Sequence, residues 1–551
     1  MIDRLFVLTG ISRTALACRI MTYHAFGMRI LRGSGYLGHL PARGAIVSSR
    51  KQKALICRIL RPGIDYADAK AFIVLAKRRF QTSAEALATA PDYRTKVLAN
   101  IYADYQCALR KAKQIDYDDQ IFEAWHWLTS NPVALEHLRT STRHIMVDEF
   151  QDTTPAQQAL SGLVAETAAS FVVVGDPNQS IFAFAGADPS LIRDFGRRFN
   201  HFDVAYLSEN YRSTKQIITL FVNIAEDGDG SSITHRLLLA AEAAPDGPPV
   251  RIRAFDEPTE EVRYVLDEIE HCKTTDIALL FRTNRQIRVA EDECTKRGIP
   301  CRTVGTSFYA RPEIRLILAF LEMIENPNAC LESKDGTKEW AGSVTGRSGL
   351  PTMRGITSEA VASLMAAFPE DPFGSIPQLP CCDNRPLSHP HTLIRVLQHQ
   401  SVGLEVSEQI ELIYLQARLV GWLERNEEID DGDNRRSENA LELVEAARGF
   451  ATRLEFLEFC RKRIAAPSVT EGLTLSTIHR AKGREWDTVF VCGVTEGLLP
   501  HKDGDPAEER RLLYVALSRA KRQLYVTCSG QPSEFWTLLE MQKAEEETSV
   551  S

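Results

Sequence analysis

Short unbroken apolar runs alternate with stretches of helical spacing along most of this chain. Ile145-Met146-Val147 ends in carboxylates, and Phe171-Val172-Val173-Val174 ends in Gly175-Asp176. Residues 276–284 (DIALLFRTN) and 488–494 (TVFVCGV) are runs of the same type, and residues 4–8 (RLFVL) form a shorter one with a helical pattern after it. Such runs read as strands buried on both faces. Between them, residues 85–130 are rich in Ala, Leu, Lys and Asp at helical spacing. This alternation predicts an α/β protein whose parallel sheets are covered by helices. Its functional residues should then lie at the C-terminal ends of strands.

Residues 330–395 break the pattern. They are rich in Gly, Pro, Ser and Thr, with weak periodicity, and read as the loop-rich start of an inserted domain. Helical spacing resumes near residue 403 and runs to about 465, with a break at 427–434 (EEIDDGDN), after which strand and helix alternate again. A mostly helical insertion therefore interrupts the second α/β domain. A chain of 551 residues is too long for one hydrophobic core and predicts three or four domains.

Composition narrows the class only a little. The chain is 44% hydrophobic and 25% charged, as expected of a soluble globular protein. Its 65 basic and 73 acidic residues leave a net charge of −8, which does not advertise nucleic-acid binding. A basic groove can still sit on an acidic body. Twelve cysteines contain no CxxC pair and no zinc-like Cys/His spacing, so they read as scattered buried thiols of a cytoplasmic protein. No apolar run is long enough to span a membrane, and the N-terminus does not read as a signal peptide.

Candidate chemistry begins at Asp148-Glu149-Phe150-Gln151-Asp152. Cleaving a phosphoanhydride with water needs a metal to neutralise phosphate charge and a base to orient the water. Asp148 suits Mg2+, held through water because that ion keeps much of its hydration shell, and Glu149 suits the base. Taken alone, an acidic loop after a strand is the simpler account. In the next segment Gly175 permits a tight turn, and Gln179 offers an amide to a terminal phosphate. Phe182 and Phe184, at spacing two, suit either a base-stacking platform or core packing. Tyr211 offers a face to a nucleobase, and Arg212 can grip a phosphate with its fork. Thr477–Gly483 precede Glu485, and Glu508–Ala520 read as a helix followed by Arg519. Each of these segments also reads as a charged helix or loop.

Their order is more specific than any one of them. DEFQD (148–152), GDPNQSIFAFAGA (175–187), LSENYRST (207–214), TIHRAKGREWDTVFV (477–491) and EERRLLYVALSRAK (508–521) resemble motifs II to VI of superfamily 1 helicases of the UvrD/Rep type, in family order. Residues 21–26 (MTYHAF) resemble motif Ib, and 281–286, 297–305 and 436–450 are also similar to family segments. The resemblance implies two RecA-like parallel-sheet motor domains with mostly helical inserted subdomains. The first would span 1–212 with a helical insertion at about 30–118, the second 213–328 and 466–551, and the inserted subdomain 329–465. The implied function is an ATP-dependent 3′-to-5′ DNA helicase of repair, replication or recombination, acting on single-stranded DNA and duplex/single-strand junctions, with ATP and Mg2+ as cofactors. Asp148 would coordinate Mg2+ and Glu149 activate water. Gln179, Arg212 and Arg519 would contact the γ-phosphate, Tyr211 would stack on adenine, and Gly483 and Glu485 would complete the nucleotide site, Glu485 at the ribose. Thr22, His24, Phe182, Phe184 and His479 would line the DNA path. The two arginines would act from the second motor domain and the two carboxylates from the first, so that ATP draws the domains together and hydrolysis releases them.

Two departures from the family stand out. The phosphate-binding pattern GxxxxGK[ST] occurs nowhere in the 551 residues. Residues 6–9 and 12–15 resemble a degenerate motif Ia almost at Met1, which suggests that the first strand, the loop and its lysine have been cut off. Such a loop supplies backbone N–H groups, a Lys and a hydroxyl to the phosphates and Mg2+. The chain as it stands is then expected to bind ATP weakly and turn it over at background level. The alternative function is a truncated or degenerate helicase-like protein that binds DNA without turnover. The intact motifs II to VI point to truncation rather than decay. The second departure is Ala183 and Ala185, where relatives often carry Arg, which should weaken contacts to the DNA backbone.

Overall fold

A computed structural model describes residues 19–33, 36, 45–199, 202–207, 209–224, 244–272, 274–325, 397–416, 436–465 and 472–540. The apolar run at 4–8, the loop-rich stretch at 330–395 and the break at 427–434 lie outside these residues. The chain divides into two compact units, Met1–Val204 and Ala205–Ser551.

In the first unit, strands β1 (His144–Val147) and β2 (Ser170–Val173) pair in parallel, with Ile145 opposite Phe171 and Val147 opposite Val173. The helix Pro155–Ala165 connects them. Its start is fixed by a capping box between Thr154 and Gln157, with Pro155 at the first helical position. Ile145, Val147, Phe171 and Val173 pack with Phe150, Leu191 and Phe195. Met146, Val172 and Val174 point the other way and are exposed, Met146 to 78%. Strands buried on both faces were expected; among the described residues the helices cover one face only.

A second core of this unit joins the helices Ser49–Ile59, Tyr66–Arg78 and Tyr93–Lys111 through Ile56, Ile73, Tyr102, Tyr105 and Leu109. Ser48, Asp65 and Asp92 cap these helices by accepting backbone N–H bonds. Lys77 is buried between Asp116 at 2.6 Å and Asp119 at 2.7 Å. Its ammonium lies near the rings of Tyr102 and Tyr105. A buried charge is tolerated only when paired, so this cluster pins the end of Tyr66–Arg78 to the start of the helix Asp119–Ser130. Burial, reinforced by Asp116 and opposed by Lys77, pushes the Asp119 carboxyl up to about 7.

The second unit is built on a six-stranded parallel sheet. Its strands are β3 (Arg251–Phe255), β4 (Ile277–Phe281), β5 (Cys301–Thr303), β6 (Leu473–Thr477), β7 (Trp486–Val491) and β8 (Ala520–Ser529), in the spatial order β3-β8-β7-β4-β6-β5. All five residues of β4 are buried, as its unbroken apolar run requires of an interior strand. Helices Pro258–Glu270 and Asn284–Arg297 pack on the sheet through Val265, Leu266, Ile287 and Ala290 against Leu279, Phe281 and Phe490. Two buried carboxylates fasten loops to this frame. Glu261 accepts bonds from the Gly493 amide, the Thr527 hydroxyl and the Ser529 hydroxyl. Glu509 accepts Arg282 in a fork, at 2.7 Å for the shortest contact, and also the His501 amide. Between β5 and β6 in sequence lie the helices Pro312–Glu325, Val406–Gln416, Arg436–Ala447 and Arg453–Ala465, which share a core of Ile314, Leu321, Ile410, Leu443 and Phe456.

Candidate active site and DNA-binding residues

Asp148 and Glu149 emerge at the C-terminal end of β1, both exposed. Glu149 adopts φ +52°, a left-handed conformation that costs a residue with a side chain free energy. The bend it makes turns the chain into the short 3-10 turn Phe150–Asp152. Gln151 is fully buried and uses all of its polar groups. Its Nε2 donates to the Glu149 carboxylate, its Oε1 accepts the Asp176 amide at 3.1 Å, and its carbonyl accepts the Ser180 hydroxyl at 3.0 Å. Thus one glutamine fixes the proposed base and joins the strand end of β1 to that of β2. The sequence assigned Gly175 to a tight turn. The structure corrects this: a Cβ there would lie 2.3 Å from Gln151 Oε1, so the glycine makes room for that side chain. Gln179 donates to Asp176 Oδ2 at 2.8 Å, which holds its amide at the same strand end.

In the second unit, Arg212 donates through Nε to Glu485 at 2.6 Å and through Nη1 to the Ser518 carbonyl at 3.3 Å. Lys521 lies 3.6 Å from the same carboxylate. Arg212, aided by Lys521, holds Glu485 below the usual carboxylate range. Ser213 donates to the Ala520 carbonyl at 2.6 Å, so the segment 210–213 is fastened beside the residues that follow the helix Pro506–Leu517. Tyr211 is 89% exposed, and its hydroxyl donates to Glu209. Gly483, at φ +77°, turns the chain just before Glu485. Arg519 is buried. Its guanidinium donates to the carbonyls of Val515 and Arg484 and to the Ser518 hydroxyl, closing the end of its own helix.

The candidate DNA residues fall in both units. Thr22 caps the helix Tyr23–Gly33 by accepting the Ala25 amide. His24 stacks on Tyr117 at 3.8 Å between ring centroids. Burial lowers the pKa of this imidazole, although Asp118 pulls the other way. Phe184 is 55% exposed, which removes core packing as its role, and Phe182 is half-buried beside it at 6.0 Å. In the second unit, His479 lies on the short helix Ile478–Ala481 and is buried.

Residues 3–200 match the family described as "UvrD/REP helicase N-terminal domain". Residues 205–336 and 408–531 match the "UvrD-like helicase C-terminal domain". The chain belongs to the UvrD/Rep-type helicases. Its two units correspond to the two RecA-like motor domains of that family, with parallel sheets and helical subdomains. Among similar proteins, the ATP-dependent DNA helicase PcrA of Staphylococcus epidermidis is 29% identical over 547 residues, covering 92% of this chain and 72% of the relative. The PcrA of Staphylococcus aureus is 29% identical over 541 residues with the same coverage.

Against that family frame, the sequence missed Gln151, Arg282 and Glu509. Glutamine carries no periodic signal, and the Arg282–Glu509 pair spans 227 positions of sequence. A hydrated Mg2+ fits the exposed Asp148 and Glu149. Among the described residues no group of three or more His, Cys, Asp or Glu could hold an ion by itself. The ion would therefore rest largely on water and phosphate oxygens, as Mg2+ commonly does. Among the described residues no helix is long and apolar enough to cross a membrane.

Proposed function

We propose that this chain is an ATP-driven motor that moves 3′ to 5′ along single-stranded DNA and opens duplex at single-strand junctions. The observation that carries the reading is the Gln151 link, which fixes Glu149 and the Asp176–Gln179 turn together at adjacent strand ends. ATP and Mg2+ supply the phosphoanhydride and the cation that neutralises it.

The chain's own residues do the rest. Glu149 takes the proton of the attacking water, its carboxylate oriented by the Gln151 amide. Asp148 holds the hydrated cation. Gln179 presents its amide to the γ-phosphate. Arg212 and Arg519 bring positive charge to the same group, exchanging Glu485 and the carbonyls of Val515 and Arg484 for phosphate oxygens. Tyr211 stacks on the adenine, and Gly483 and Glu485 serve the nucleotide from the following turn. Thr22, His24, Phe182, Phe184 and the accessible edge of His479 guide the strand, with Phe184 stacking on bases.

A phosphate-loop lysine is not among the 551 residues. Each charge-assisted bond such a loop makes is worth about 1.5–3 kcal/mol, so nucleotide affinity in this chain is weak. The test is ATP hydrolysis with and without single-stranded DNA, in this chain and in the same chain joined to the loop-bearing segment of a PcrA relative. DNA-stimulated hydrolysis in the joined protein supports the reading. DNA binding with no turnover in either protein favours a binding protein of the same fold.

A further inference from the structure

Arg78 ends the helix Tyr66–Arg78 and spreads its guanidinium between two other segments. Nε donates to Asp118 Oδ1 at 2.8 Å, and Nη1 donates to the Ala185 carbonyl at 2.9 Å. Ala185 closes the short turn that carries Phe184. The following Gly186 has φ +86°, and a Cβ there would lie 3.0 Å from Arg78 Cβ, so the loop backbone lies directly on the arginine stem. On the other side of the fork, Asp118 follows Tyr117, whose ring stacks on His24 at an interplanar angle of 24°. His24, Arg78, Asp118, Phe182 and Ala185 line one cavity of about 220 Å³.

We infer that Arg78 is a positioning residue for DNA binding: its fork fixes the Phe182–Phe184 loop against the His24–Tyr117 stack, so that a base meets rings already in place. The inference rests on the reading of Phe184 as a base-stacking residue. Its charge is already matched by Asp118, and its side chain is only 30% exposed. Those two facts favour a geometric role over a direct grip on phosphate. Rings held in place before binding lose less freedom on binding, and affinity rises accordingly. The loop has particular need of such a tether because Ala183 and Ala185 offer no side chain long enough to anchor it.

Fluorescence anisotropy with a labelled single-stranded oligothymidine, read at several salt concentrations on the full chain, tests this. Arg78→Ala should weaken binding by about fivefold or more, a loss at the low end of base stacking. The slope of log affinity against log salt should not change, because a lost phosphate contact would reduce it by about 0.7. Asp118→Asn should also weaken binding, because it releases the fork while leaving the cation. Thermal melts of both variants show whether the unit remains folded. A reduced salt slope in Arg78→Ala, or tighter binding by Asp118→Asn, would make Arg78 a phosphate contact and overturn the inference. Phe184→Ala supplies the reference. If it weakens binding and the other two do not, the positioning role fails alone; if it has no effect, the stacking reading fails and this inference with it.

Discussion

Arg212 and Glu485, 273 positions apart in sequence, share a 2.6 Å ion pair in the second unit. The family resemblance assigns one to the γ-phosphate and the other to the ribose. The pair therefore fixes two nucleotide-binding candidates relative to each other. Both side chains are over a third exposed, so the pair contributes little to folding. Glu485→Gln should leave the melting temperature nearly unchanged while altering nucleotide affinity, measured by titration with a fluorescent ATP analogue. A large drop in melting temperature would assign the pair to structure instead.

Gly175→Ala places a methyl group 2.3 Å from Gln151 Oε1 and 2.8 Å from Ile192 Cδ1. Overpacking of this kind typically costs about 1–3 kcal/mol. Urea unfolding should show that loss. The variant should also bind Mg2+–ATP less well, because Gln151 can no longer hold Glu149 and the Asp176 amide together. Wild-type stability would mean that the strand ends rearrange at little cost.

The Lys77 cluster sets a pH dependence of folding. Asp119 has its carboxyl raised from an ordinary 3.8 to about 7, so the folded chain holds a proton there that the unfolded chain has released. Its contribution is fully present below about pH 4, falls as pH rises towards 7 and is flat above. Denaturant unfolding between pH 5 and 8 should show this decline, and Asp119→Asn should remove it. Lys77→Met leaves two buried carboxylates without their cation and should cost about 3–5 kcal/mol. A pH-independent stability in the wild type would contradict the assignment.

Much of the frame was legible because interior parallel strands are continuous apolar runs. β1, β2, β4 and β7 each lie within a run singled out from the sequence. β3 and β5 were not, since RIRAF is largely exposed and CRT is short and half-buried. Both are edge strands, where the apolar requirement relaxes. The site was legible as an ordered set of segments, but what holds it was not. Gln151 meets Asp176 across 25 positions, and Arg78 meets Ala185 across 107. Composition says nothing of either contact. Arg519 reads as an exposed cation at a helix end, yet it is folded into the helix it follows.

The central claim is that Glu149 is the base of a DNA-stimulated ATP hydrolysis. It is tested most directly in the chain joined to a phosphate-loop segment, by comparing steady-state ATP turnover of the wild type and Glu149→Gln with saturating single-stranded DNA. Glutamine keeps the shape of the side chain and its place beside Gln151 but cannot accept a proton. The account predicts DNA-stimulated turnover in the wild type and a loss of at least about a hundredfold in Glu149→Gln, the scale of general-base removal, with ATP-analogue binding retained. Turnover that DNA does not stimulate, or that survives the substitution, would contradict it.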